Sequence, residues 1–236
     1  MGRDKVKLDK YGRKEAIGHL AGPVFIAAVF FLFAGRIDMN RAWLWAILNL
    51  LYYAGGLMVI LKVNPQLLNE RGSWNRKKDT KLWDKVLLQI FGTIGLYSHT
   101  VLMALDVGRF EWSLLNPWFI LPGMILFTGG FNLVYWAMAE NTHFETTVRI
   151  QHERNHRVIS TGPYRIVRHP GYVGLIISNF GSTMILGSMY GFITAFATLI
   201  ILGIRTWLED GTLAAELQGY EEYRKKVRYR LLPFIW

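Results

Sequence analysis

Residues 149–172, RIQHERNHRVISTGPYRIVRHPGY, are where this sequence concentrates its chemistry. The stretch holds three of the six histidines and five arginines, and it runs straight into apolar sequence at Val173. Imidazoles, guanidiniums and phenols gathered this densely can hold an anion or an electron-rich group, or move a proton. Pro170 suits the first turn of a helix, with His169 just before it, and the free amides of a helix start favour an electron-rich partner. His169 and Tyr172 are three residues apart and share a face of that helix. Gly174 is expected to leave room beside them for a flat ligand. The structural alternative is that His169 only caps the helix and Tyr172 only anchors it.

A second cluster lies downstream. Glu209 and Asp210 are adjacent, so on a helix they point in different directions. One can pair with Arg205, four residues earlier; the other is then available to accept hydrogen bonds from hydroxyls or an ammonium. Arg149, Glu153, His156, Arg157 and Arg165 are further candidates to face a substrate, although a loop beside anionic lipid carries arginines anyway. His143 and His152 lack neighbours at metal-ligand spacing, so no metal site is expected. The GPY at 162–164 is a turn signal and not a phosphate cradle. The chain has no cysteine, which excludes thiolate nucleophiles and sulfur-ligated metals.

The elements that must position these groups are apolar helices. The 236 residues are 52% hydrophobic and only 19% charged, below the roughly 25% usual in soluble domains. Hydrophobic runs predict an all-α bundle of about six membrane spans, at 17–35, 42–61, 86–105, 116–139, 171–186 and 190–207. Gly187-Ser188 makes a tight turn, so the last two spans form a hairpin whose mouth brings the two clusters together. The polar segment 62–85 carries scattered leucines and tryptophans suited to an interface. In the tail, Tyr220, Tyr223, Val227 and Leu231 recur at helical spacing, a face for the membrane surface or for capping the bundle. Residues 1–140 read as an N-terminal membrane part, and 141–236 as a catalytic half. With six spans, the basic arm 1–16, the loop 62–85, the connector 140–170 and the tail share one side. Only Arg36, Arg41 and Arg109 of the 27 lysines and arginines fall opposite. The positive-inside rule makes the rich side cytoplasmic, both termini included, and accounts for the net charge of +10 without nucleic acid.

TGPYRIVRHPGYVG at 161–174, a hydrophobic hairpin and then Glu209-Asp210 together resemble the isoprenylcysteine carboxyl methyltransferase family. That group is similar to phospholipid N-methyltransferases and bacterial membrane thiol methyltransferases. TTVRIQHERNHRVIS (146–160), GYEEYRKKVRYRLLPFIW (219–236) and NPQLLNERGSWNRKKDTKLWDK (64–85) resemble bacterial members, which points to a prokaryotic inner or plasma membrane. The family commonly has two glutamates where this chain has Glu209 and Asp210. Many relatives read ERGH where Glu153-Arg154-Asn155-His156 stands, and asparagine also tolerates a left-handed turn.

The resemblance implies methyl transfer from S-adenosylmethionine to a lipophilic acceptor, without metal. Arg168, His169, Pro170, Tyr172, Gly174, Glu209 and Asp210 would form the cofactor pocket, with Tyr164 and Arg165 at its edge. A carboxylate acceptor of the isoprenylcysteine type would be oriented by Arg205 or Arg165. A small-thiol acceptor would need a base such as His156 or Glu153, and a phospholipid amine is a third possibility. A nicotinamide-dependent membrane reductase is the competing enzyme class, since sterol reductases share a similar C-terminal half but are larger. A transporter would place its ionisable groups at the membrane midplane, where this chain has almost none.

Overall fold

The computed structural model describes residues 7–77 and 79–236, so Arg3 and Lys5 of the basic arm lie outside it. Every regular element among the described residues is helical. α1 (Lys10–Ala34) starts where the Asp9 carboxylate accepts hydrogen bonds from the amides of Tyr11 and Gly12, both at 2.8 Å, an N-cap that contributes about 1 kcal/mol. α2 (Asn40–Val63) leads into α3 (Pro65–Gly72), whose proline sits in the first turn, where a missing amide hydrogen costs nothing. α4 (Leu82–Arg109) is one long helix that widens into π-helical turns at Phe91–Ser98 and Leu105–Arg109. α5 (Pro117–Glu140), α6 (Pro170–Leu186) and α7 (Gly191–Glu216) complete the bundle, and α8 (Tyr220–Lys226) closes one end.

Five of these helices, α1, α2, α4, α5 and α7, are long and apolar enough to cross a membrane, and the chain is an integral membrane protein. The sixth expected span is α6, which has 17 residues, about 26 Å of rise and shorter than a typical span. It still connects the two ends of the bundle. At one end its His169 cap lies beside Asp210 of α7; at the other, Gly187 adopts a left-handed φ of +85° next to Arg41 and Leu115. That turn needs a residue without a Cβ.

α6 lies closest to α5, and glycines set the distance. A Cβ on Gly174 would stand 2.5 Å from the Gly130 carbonyl oxygen, and one on Gly181 would stand 2.5 Å from the Phe127 amide nitrogen. The two backbones therefore touch along a seam of small residues, the usual way membrane helices approach. This corrects one expectation: the space beside Gly174 is filled by α5 and holds no ligand.

Two other segments differ from expectation. In the polar stretch 62–85, Leu67 and Leu68 do not face an interface, because α3 packs on α1 and sinks them fully into the core, whereas Trp74 and Leu82 stay exposed. α7 runs past the expected end at 207 as far as Glu216, which places Glu209 and Asp210 on a rigid helix. The basic segments do share one end. Asp9 meets Asn69, Arg71 meets Phe144, and Arg205 meets Thr146 there, while Arg36 pairs with Glu111 at the other end.

Candidate active site

A cavity of about 780 Å³ opens within the basic end of the bundle, with walls from both sides of residue 140. Tyr164, Arg168, His169, Tyr172, Arg205 and Glu209, all expected near a ligand, line it. Away from these groups it runs between α1 and α4, past Gly18, Phe91, Leu96 and Tyr97. Leu96 and Tyr97 are also exposed on the outside of the bundle, so the cavity reaches the lipid-facing surface.

The two adjacent acids diverge, as a helix demands, and have different surroundings. Asp210 is fully buried and is not on the cavity wall. It receives Arg168 Nε and Nη2 at 2.7 and 2.9 Å, the Tyr220 hydroxyl at 2.8 Å and Arg230 Nε at 3.0 Å, with His169 Nε2 at 3.4 Å. Arg168 also donates through Nη1 to the carbonyls of Val227 and Arg228, at 2.7 and 2.8 Å. Burial alone would lower the Arg168 pKa, but the hydrogen bonds and charge of Asp210 hold it above its ordinary value. Asp210 is thus the anchor that binds α7 to the tail and to the start of α6.

Glu209 faces the cavity. The Tyr172 hydroxyl donates to its Oε2 at 2.5 Å, and His169 Nδ1 lies 4.0 Å from its Oε1. The rings of His169 and Tyr172 are stacked within 3° of parallel, centroids 5.7 Å apart. Tyr164 is held from both sides: Asn141 donates to its hydroxyl at 3.2 Å, and its carbonyl accepts from the Tyr223 hydroxyl at 2.7 Å. Pro170 occupies the first turn of α6, buried and away from the cavity wall.

The residues expected to act on an acceptor fare differently. Arg165 is exposed and off the cavity wall, because its short 3₁₀ turn buries Pro163 and Tyr164 and turns the next side chain outward. Glu153 also lies off the wall. It clasps Arg149, with oxygens 2.5 and 3.2 Å from the guanidinium, and these hydrogen bonds hold its carboxyl down at about 2. Arg205 does line the cavity, but its partner is Asp84 of α4 (Nε–Oδ1 2.8 Å) and not Glu209. It also donates to the Thr146 carbonyl at 2.7 Å and lies over the Tyr172 ring at 5.2 Å. His156 lines the cavity and stacks on His143 at 4.4 Å. Burial, then His143 and nearby arginines, push the His156 imidazole down to about 4, so it is neutral at pH 7. Asn155 takes the left-handed conformation at φ 49°.

Sequence reasoning missed Asp84 and Arg230. Asp84 is fully buried and joins three segments, accepting from Arg205 of α7 and, at 2.7 Å, from the Val148 amide of the connector. The three-residue spacing of Tyr220 and Tyr223 was visible, and both now cap the bundle.

Comparison with known proteins places this arrangement. Residues 118–216 match the family model described as phospholipid methyltransferase. This segment is the part of the chain that is similar to that family. It contains α6, α7 and both acids. Over 96 residues the chain is 35% identical to a probable protein-S-isoprenylcysteine O-methyltransferase of Oryza sativa subsp. indica, covering 39% of this chain and 49% of that protein. Over 88 residues it is 33% identical to the protein-S-isoprenylcysteine O-methyltransferase of Schizosaccharomyces pombe, covering 36% of each. The chain therefore spans about half or less of these relatives' own length. A solved structure of a eukaryotic intramembrane Ras methyltransferase, isoprenylcysteine carboxyl methyltransferase, overlaps 97% of this chain and 99% of its own. The TM-score is 0.49 at 15% identity, an overlap too loose to carry an argument.

Proposed function

We propose that the protein transfers a methyl group from S-adenosylmethionine to a lipophilic acceptor, with an isoprenylcysteine-type carboxylate as the favoured acceptor. The observation that carries this reading is the single cavity joining the Glu209–Tyr172–His169 wall to the lipid-facing gap between α1 and α4. A polar ligand and a greasy one can meet there without either crossing water. The wall suits S-adenosylmethionine: Glu209 offers an acceptor for its ammonium or ribose hydroxyls, and Tyr172 and His169 offer parallel rings for its base. When bound, S-adenosylmethionine supplies a methyl group made electrophilic by the attached sulfonium.

The chain's own residues orient and enclose. Tyr172 fixes the Glu209 carboxylate, while Asp84 takes the charge of Arg205 and so leaves Glu209 free for a ligand. Asp210 holds Arg168 and the tail in place, and the Tyr220–Tyr223 cap closes the end of the site. Exclusion of water and alignment of the acceptor are what a methyl transfer requires. A carboxylate acceptor arrives ionised, so no residue has to remove a proton. His156 on the cavity wall is the base that a second reading, a thiol acceptor, calls for, although at about 4 its imidazole is a weak one. The concentration of basic segments at the site's end supports a cytoplasmic position for it, by the positive-inside rule.

Calorimetry on detergent-purified protein tests the proposal, with S-adenosylmethionine and, as control, NADPH. Saturable binding of the first alone is expected. Binding of NADPH alone, or of neither compound even with a prenylcysteine present in nanodiscs, would overturn it.

A further inference from the structure

The part of the cavity farther from Glu209 has a polar wall of its own that the cofactor reading does not use. Glu15 and His19 of α1, Tyr53 of α2, Arg71 of α3 and Tyr135 of α5 all line it. Arg71 is held by Glu15 through Nε at 3.3 Å and by the Phe144 carbonyl through Nη1 at 3.4 Å, both long for charge-assisted hydrogen bonds. Its Nη2 has no partner among the described residues. His19 turns Nδ1 toward the Glu15 carbonyl at 3.2 Å and stacks at a tilt on Tyr53, 5.9 Å between centroids. Neither the Tyr53 nor the Tyr135 hydroxyl makes a hydrogen bond among the described residues, although Tyr135 is only 8% exposed. Tyr135 is set by Gly56, where an added Cβ would overlap its ring.

Four hydrogen-bonding groups thus converge on one chamber with capacity unspent. Three of them, Arg71 and the two phenols, are donors. A donor-rich chamber with a single loosely held guanidinium recognises an oxyanion, and the apolar passage beside Gly18, Leu96 and Tyr97 takes an alkyl or prenyl chain. Of the other arginines on the cavity wall, three are already engaged and the fourth, Arg157, is exposed to solvent on the connector. Arg168 and Arg205 sit in ion pairs with Asp210 and Asp84 at 2.7 and 2.8 Å, and Arg149 sits between Glu145 and Glu153.

We infer that Arg71, with Tyr53 and Tyr135, binds the anionic headgroup of the lipophilic acceptor, taking the orienting role that Arg205 and Arg165 do not fill. This rests on the methyl-transfer reading for the identity of the acceptor, but the binding site stands on its own geometry. Glu15 is a competing carboxylate that holds Arg71 in place while the chamber is empty, and an incoming oxyanion displaces it.

Quenching of intrinsic tryptophan fluorescence in the purified full-length protein tests this with two probes, N-acetyl-S-farnesylcysteine and its carboxamide. Arg71→Gln is expected to weaken binding of the acid at least tenfold and to leave the amide within twofold. Arg71→Lys restores part of the loss, and S-adenosylmethionine affinity stays unchanged in both. Glu15→Gln, which removes the competitor without touching Arg71, is expected to tighten the acid. Equal weakening of acid and amide by Arg71→Gln would show a packing role and overturn the site. If Arg71→Gln does not fold, Glu15→Gln decides, and unchanged or weaker binding of the acid there overturns it. Wild type that binds the acid through Arg71 but no S-adenosylmethionine would sink the methyl-transfer proposal and leave this site standing.

Discussion

Arg168 and Asp210 are joined twice, Nε to Oδ1 at 2.7 Å and Nη2 to Oδ2 at 2.9 Å, with both side chains closed off from solvent. The pair connects the start of α6 to α7, and Tyr220 and Arg230 bring the tail onto the same carboxylate. The arginine of the RHPGY motif is therefore committed to holding the pocket's frame. Removing one member of such a buried pair strands the other charge and costs about 3–5 kcal/mol. Asp210→Ala is expected to lower the melting temperature sharply and to lose ligand binding through loss of structure. Asp210→Glu, which restores the acid common in relatives, is also expected to destabilise, because the fully enclosed site has no volume for another methylene. Thermal melts in detergent check both, and a wild-type melt for Asp210→Glu would show that the enclosure is looser than the geometry implies.

Glu209 gives the opposite pattern. It sits on the cavity wall with one firm partner, Tyr172. Glu209→Ala should leave the melting temperature nearly unchanged while weakening S-adenosylmethionine at least tenfold by calorimetry. A large fall in stability with unchanged affinity would reverse the roles assigned to the two acids.

The contrast between these neighbours shows what sequence can and cannot carry. Hydropathy and the Gly187-Ser188 turn placed both clusters at one mouth, and adjacency alone required the acids to diverge. Which acid faces the cavity depends on α8 and the tail folding back over α7, a long-range docking with no periodic signature in the chain. Asp84 was hidden for the same reason. It reads as one more charge in a basic loop, and only the approach of α7 and the connector makes it the partner of Arg205. Arg165 and Glu153 looked equivalent to Arg168 and Glu209 by composition; the direction of a 3₁₀ turn and a local arginine clasp separate them.

The connector predicts a pH response. His156 is held near 4 in the folded protein against 6.5 for an unperturbed imidazole, with burial the main cause, and His143 is lowered as well. Below pH 6.5 the unfolded chain binds more protons than the folded one, so these groups make stability fall as pH drops from 6.5 toward 4, with His156 contributing no further change below that. Glu153, depressed to about 2 from 4.5, costs stability only in the lower window from 4.5 to 2. Melts across pH 8 to 4 should show the first decline, and His156→Gln should flatten it. An unchanged slope in that variant would remove His156 from the account.

The seam between α5 and α6 separates packing from chemistry at the motif's last glycine. A Cβ on Gly174 would press to 2.5 Å on the Gly130 carbonyl and 2.7 Å on the Val134 side chain, whereas one on Gly129 would meet nothing within 4 Å. Gly129→Ala is therefore expected to be neutral or to stabilise by up to about 1 kcal/mol through helix propensity. Gly174→Ala must push two backbones apart, and overpacking of that kind costs about 1–3 kcal/mol. Because Gly174 faces α5 and not the cavity, whatever fraction of Gly174→Ala remains folded should bind S-adenosylmethionine with wild-type affinity. A stable Gly174→Ala protein with impaired binding would return the glycine to the ligand's side.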